Sequence, residues 1–334
     1  MNISAMPLAV SDCFEVHYFT KGGVHQMDAF VLTKCSNDIL NIISAFCKQL
    51  NVEMKVDTLA LGEGGIKQWL KIVKQQEDKT APITTEVIKY LVLSAIGVVG
   101  FFGHEVYQYI REDKELTELK KEALIKYLSD SNYTQSEKLE NQVIKLRSNF
   151  YESATSASNV SSIGFSSLDD EGQTEYSIDV SRGSFPAFII TDNSLEPIDI
   201  EEASIVITSP VIAKGKYNKW HGIYDGDYIE FRMLSNEFKT LIQSREVTFQ
   251  NGFTINCFLR IYRSLNNKGE EHITKYEVIR VNSYFVADIT IETNEGKVYR
   301  QKKSKIMLQI YLLVLLMAFN SVAPPRFRKS SLRS

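Results

Sequence analysis

Asp38, Glu53 and Lys55 are the residues whose types and order come nearest to a reaction centre. Two carboxylates and a lysine in the order D…E-x-K resemble the ligand set of metal-dependent nucleases. There the acids hold Mg²⁺ and the lysine steadies the nucleophile. Lys55 also alternates with Met54 and Val56, the pattern of a strand with one solvated face. A second group, Trp220, His221, Tyr224 and Tyr228, gathers around "YDGDY". These rings are the candidate ligand-binding surface, suited to stacking a base or contacting a peptide. Asp225 and Asp227 flank Gly226 as a hairpin turn would, whereas a calcium loop needs several more oxygen ligands. "GEGG" at 62–65 reads as a turn, since no P-loop lysine follows it. No G-x-G-x-x-G, H-E-x-x-H or G-x-S-x-G occurs. Cys13, Cys35, Cys47 and Cys257 form no C-x-x-C pair and have no histidine at ligand spacing. Neither a metal nor a cofactor is expected from them.

Those residues must be held by folded elements, and the composition allows for them. The chain has 334 residues, 44% hydrophobic and 24% charged, enough for two or three modest domains. A net charge of −3 gives no global attraction for nucleic acid. The start lacks a basic n-region followed by an apolar h-region, which places the N-terminus in the cytoplasm.

Residues 8–78 read as a small ββαβα module. "DCFEVHYFTKGGVHQMDAFVL" reads as two strands around Gly22 and Gly23. Ser36 then caps a helix on which Ile39, Ile43, Phe46 and Leu50 share a face. "VEMKVDT" alternates as a strand. "EGGIKQWLKIVKQQ" reads as a second helix, with Ile66, Trp69, Leu70 and Val73 on one side. A polar linker, 79–86, follows.

Residues 87–103 contain the uncharged run "YLVLSAIGVVGFFG". As a helix it is ~21 to 25 Å long, short against a hydrocarbon core of roughly 30 Å. Lys89 can reach the headgroups, and Gly97, Gly100 and Gly103 suit helix packing in lipid. The run is therefore read as a membrane anchor made of Tyr90, Leu91, Val92, Leu93, Ile96, Val98, Val99, Phe101 and Phe102. Basic residues stand on both sides of it, so the positive-inside rule leaves the side of the following domain open.

Residues 104–155 form a helical stalk or hairpin. Thr134 to Glu137 fits a capping box, and Leu139, Val143, Leu146 and Phe150 make a packing seam. Self-association or a protein partner is expected through 105–150. Residues 156–300 turn to period two, with "DDEG", "NG", "NNKG" and "NEG" as turns. In "FTINCFLRIY", Ile255, Cys257, Leu259 and Ile261 face one way. This half is an antiparallel β-barrel or β-sandwich with one helix, "SNEFKTLIQ". A second apolar segment, 306–323, precedes a basic tail, 324–334.

With "GVHQMDAF", "GEGGIKQW" and "SPVIAKGKYNKWHGIYDGDYIEF" in view, the chain resembles a family of uncharacterised bacterial proteins over roughly residues 10–300. In these a small α/β module precedes a short apolar stretch, a helical segment and a β-rich half. The resemblance implies no activity and no catalytic residue. The sequence thus reads as an α+β, membrane-associated binding or sensor protein. A soluble nuclease built on Asp38, Glu53 and Lys55 is the alternative.

Overall fold

Five strands from two distant stretches of chain make the first sheet. The structure, a computed structural model, describes residues 13–23, 26–49, 53–58, 66–74, 85–98, 133–169, 171–211, 219–250, 252–286 and 289–321. These fall into two compact units. One is Met1–Leu195 with Ser264–His272; the other is Glu196–Arg263 with Ile273–Ser334.

The first unit contains β1 (Cys13–Thr20), α1 (Ala29–Gln49), β2 (Met54–Thr58), β3 (Ile66–Lys74), α2 (Thr85–Gly97), α3 (Tyr133–Ser156), β4 (Val160–Leu168) and β5 (Thr174–Ser181). The strand order is β2-β3-β1-β4-β5, and every pair is antiparallel. Register puts Phe14 opposite Leu70 and Ser167, Val16 opposite Gln68 and Phe165, and Tyr18 opposite Ile66 and Ile163. That face joins α1, α2 and α3 in one core. Each fully buried Val, Leu or Ile there contributes about 1.5–3 kcal/mol.

The expected ββαβα order becomes βαββ over this region. Only one strand precedes α1, because Asp28 starts the helix early. Its Oδ1 accepts from the backbone N–H of Phe30 and Val31 at 2.8 and 3.1 Å, which satisfies two orphan donors. Ser36 lies inside α1, and its hydroxyl donates to the Leu32 carbonyl. The second expected helix is the strand β3. Gln68, Leu70 and Ile72 are buried, alternating with Lys67, Trp69 and Lys71. Apolar residues at 66, 69, 70 and 73 fit a helical stripe, but pairing to β1 fixes a period of two. β4 and β5 belong to this sheet, so the barrel begins later than residue 156.

Among the described residues, α2 is covered by protein. Tyr90, Leu91, Val92, Leu93 and Ile96 are 0–5% exposed and lie in the core. Val98 is half-buried against it. Val99, Phe101 and Phe102 lie outside the described residues, as does the stalk up to 132. The structure therefore gives the described part of this run a protein environment, not a lipid one. Lys89, 1% exposed, does not reach a surface: its ammonium donates to the Leu168 carbonyl at 3.1 Å. Gly97 serves close packing on a strand, since a Cβ there would come within 2.7 Å of the Ile178 Cγ2. No described helix is long and apolar enough to cross a membrane. The seam on α3 packs inside the unit, with Val143, Leu146 and Phe150 wholly buried among residues of α1.

The second unit is a closed five-stranded barrel. Its elements are β6 (Ser194–Ser209), β7 (Trp220–Tyr224), β8 (Asp227–Met233), α4 (Asn236–Gln243), β9 (Thr254–Leu265), β10 (Glu271–Val286), β11 (Ile289–Glu292) and α5 (Asn294–Ser321). The order β10-β8-β7-β6-β9 closes through β9 onto β10, and β11 flanks β10. β8 and β10 run parallel, with Tyr276 opposite Phe231 and Val278 opposite Met233. The alternation in β9 places Ile255, Cys257 and Leu259 at 0% exposure inside the barrel. α4 is capped by Ser235, whose hydroxyl accepts from the Phe238 N–H at 3.1 Å. α5 starts at 294, well before the apolar segment. Its first amides, on Asn294 and Glu295, donate to the Glu237 carboxylate at 2.7 Å each, an anion placed at the positive end of the helix dipole.

Candidate functional site

The rings expected to bind a ligand lie on the hairpin β7–β8. Asp225 and Gly226, at φ 51° and 86°, form the tight turn that suits a right-twisted ribbon. The pairing then sorts the side chains. Trp220 lies opposite Phe231 and Gly222 opposite Ile229, both inward; His221 lies opposite Glu230 and Ile223 opposite Tyr228, both outward. Trp220 is therefore a core residue, 3% exposed, with Phe231 and Phe238 about it. Tyr224 is half-buried against the same core. His221 and Tyr228 remain as a surface pair, stacked at 5.6 Å with 14° between their planes. Tyr228 is 67% exposed.

Charges surround this pair and are mostly matched. Lys219 and Glu230 form an ion pair, and the His221 Nε2 lies 3.7 Å from the other Glu230 oxygen. Arg232 reaches Glu277 at 3.4 Å, and Lys275 pairs with the same carboxylate. Burial raises the pKa of Glu277, but bonds from Lys275 and Tyr262 outweigh it and hold the group below the ordinary range. The face thus offers a flat aromatic platform edged by hydrogen-bonding groups, without a surplus of positive charge.

A second feature escapes sequence reading. A cleft of about 470 Å³ lies between α5 and the barrel, lined by Asn256, Asn282, Ser283, Thr290, Tyr299 and the paired charges Glu202–Lys303 and Glu292–Arg300. Asn282, 8% exposed, donates to the Glu201 carbonyl and to the Asn256 amide oxygen at 2.9 Å, and accepts from the Arg280 Nε at 2.8 Å. The lining comes from β6, β9, β10, β11 and α5, each giving one or a few polar residues, so no local motif marks it.

The nuclease-like triplet is divided between α1, which carries Asp38, and the beginning of β2, where Glu53 and Lys55 stand. Asp38 sits on α1, where the nearby cations are Lys145 and Lys34. Lys55 pairs with Asp57 at 2.9 Å. Among the described residues no group of three or more His, Cys, Asp or Glu is placed to hold a metal. Asp38 has a different consequence. Burial pushes its pKa from 3.8 to about 6, against the pull of Lys145 and Lys34. The folded state then binds the proton more tightly than the unfolded chain, so stability falls as pH rises from about 4 to about 6. Asp38→Asn is expected to stabilise the protein at pH 7 to 8 by about 1 kcal/mol after allowance for partial exposure, and so to raise its melting temperature. The gain should shrink through that window and vanish near pH 4. Thermal melts across pH check it; a gain independent of pH would refute the assignment.

No family model, no curated protein and no solved structure matches the chain. Its function rests on the geometry described above.

Proposed function

We propose that the protein is a binding protein whose barrel carries the ligand on its β7–β8 face, and that the ligand is a neutral oligosaccharide. The observation that carries the reading is the exposed His221–Tyr228 stack. The barrel closes by a parallel pair between its third and fifth strands, with a helix between the third and fourth. This arrangement supports an oligonucleotide/oligosaccharide-binding barrel, a fold that presents ligands to its second and third strands. In this chain those strands are β7 and β8. Fold alone does not give function, so the site must choose the ligand. Nucleic-acid affinity is dominated by phosphate contacts with unopposed Lys and Arg. Here Lys219, Arg232 and Lys275 already face Glu230 and Glu277, with Asp225 and Asp227 at the turn. A neutral polyhydroxylated chain fits better: it stacks on the rings and exchanges hydrogen bonds with the flanking groups.

The test is titration calorimetry of the full chain against cello-, chito- and malto-oligosaccharides, with an oligothymidylate as the competing ligand. One of the saccharides should bind, and Tyr228→Ala should weaken it about tenfold or more, as a stacked ring is worth about 1–3 kcal/mol. The melting temperature should stay near wild type, because Tyr228 is exposed. Oligothymidylate binding that falls steeply with salt would replace this reading with a nucleic-acid one.

A further inference from the structure

Midway along α5, a run of apolar side chains is exposed. Ile306, Met307, Leu308, Ile310, Tyr311, Leu312, Leu313 and Val314 are each 51–63% exposed. Over 306–314 only Gln309 is polar. Nine successive positions at about 100° each pass round the helix more than twice. The apolar surface therefore has no polar side.

That shape limits what can cover it. A groove or a partner helix takes one stripe of an amphipathic helix and leaves the opposite face in water. Here the opposite face is equally apolar, so a single-stripe contact would leave half of it wet. A medium that is apolar on all sides removes the whole surface from water, and lipid is such a medium. The charges point the same way. From Gly296 to the end of the given sequence there is no acidic residue, whereas Lys297, Arg300, Lys302, Lys303 and Lys305 precede the run and Arg326, Arg328 and Lys329 come after it. Lys303 and Arg300 are engaged by Glu202 and Glu292; Lys302 and Lys305 are exposed at the edge of the apolar run. Basic residues at the rim of an apolar helix are drawn to anionic headgroups.

We infer that the exposed apolar run of α5 inserts into an anionic phospholipid surface, with Lys302 and Lys305 at the headgroups. Within α5 the apolar run from Ile306 to Phe319 is about 21 Å long, short of a hydrocarbon core of roughly 30 Å. The proposal is accordingly insertion from one side, not crossing. It is independent of the barrel-face reading, since β7 and β8 contribute nothing to it.

The experiment is co-sedimentation of the full chain with phosphatidylcholine vesicles and with vesicles containing phosphatidylglycerol. The full chain should pellet with the anionic vesicles, less so at high salt. A variant carrying Leu308→Gln, Leu312→Gln and Leu313→Gln should stay in the supernatant, with partitioning reduced about tenfold or more. These side chains are exposed, so its circular dichroism and melting curve should match wild type. Absence of wild-type pelleting, or equal pelleting by the variant, overturns the inference. So does a stable oligomer that ignores vesicles and is dispersed by the same substitutions, which would make this helix a contact between copies of the chain.

Discussion

Arg147→Ala is expected to lower the stability of the first unit by about 3–5 kcal/mol, since two carbonyls lose their donor at about 1–3 kcal/mol each and a void opens. α2 is buried from Ile88 to Ile96 and half-buried at Gly97 and Val98, so most of the carbonyls left over at its C-terminal end need donors from the protein. Arg147, 7% exposed, does so from α3. Its Nη1 donates to the carbonyls of Ala95 and Val98, both at 3.1 Å, and its guanidinium lies 5.4 Å from the Phe188 ring. The Tyr151 hydroxyl donates to the Ile96 carbonyl at 3.0 Å beside it. The cation also stands at the negative end of the helix dipole. Burial lowers the Arg147 pKa, with Tyr151 and Glu140 opposing, so the group bears a desolvation cost that the two carbonyls offset only in part, the buried Nε having no hydrogen-bond partner among the described residues.

Removing the side chain strands those carbonyls and opens a void next to Phe188. At about 2–4 °C per kcal/mol in a unit of this size, the melting temperature should fall by roughly 10 °C. Arg147→Met keeps most of the stem and should recover the packing part of the loss but not the hydrogen bonds. Tyr151→Phe removes one bond and should cost about 1 kcal/mol. Should Arg147→Ala melt within about 1 kcal/mol of wild type, water reaches the end of α2 and the cap is dispensable.

This cap also shows why the apolar run was the hardest stretch to read. A helix apolar on all sides has no phase, so periodicity cannot separate a core from a bilayer. The deciding residues lie about fifty positions away: a guanidinium and a phenol on α3 that meet the end of α2 only after folding. The alternating half was more legible. Ile255, Cys257 and Leu259 announce an inward face, and Asp225–Gly226 announces its hairpin, because both signals are local. Alternation gives the face of a strand but not its partner, which is why β4 and β5 read as barrel strands while they pair beside β1. In β3, Trp69 next to Leu70 satisfies either period, and only the register with β1 decides. At the candidate site the stacked pair was legible because both rings flank one turn. Trp220 is near them in sequence, but its pairing with Phe231 turns it inward.

Gly296→Ala should destabilise the second unit by about 2–3 kcal/mol, although alanine favours an unconstrained helix by about 1 kcal/mol over glycine. The two effects differ in sign, so the measurement discriminates. Gly296 lies in the first turn of α5, where a Cβ would overlap the backbone carbonyl of Asn282. That carbonyl cannot rotate away, because Asn282 is fixed on three sides by Glu201, Asn256 and Arg280. It also accepts from the Thr293 N–H at 3.1 Å and the Thr293 hydroxyl at 3.2 Å, and the same hydroxyl accepts from the Gly296 N–H at 2.9 Å. The helix would have to lift off β10. Lifting separates Asn294 and Glu295 from the Glu237 cap and strains the Lys303–Glu202 and Arg300–Glu292 pairs that line the cleft. The exposed ion pairs add little; the capped amides and the buried carbonyl carry most of the loss. Hydrogen exchange should then rise across the first turns of α5 while the interior of β9 stays protected. A more stable Gly296→Ala protein would mean that α5 is not held against the barrel, and the cleft between them would lose one of its walls.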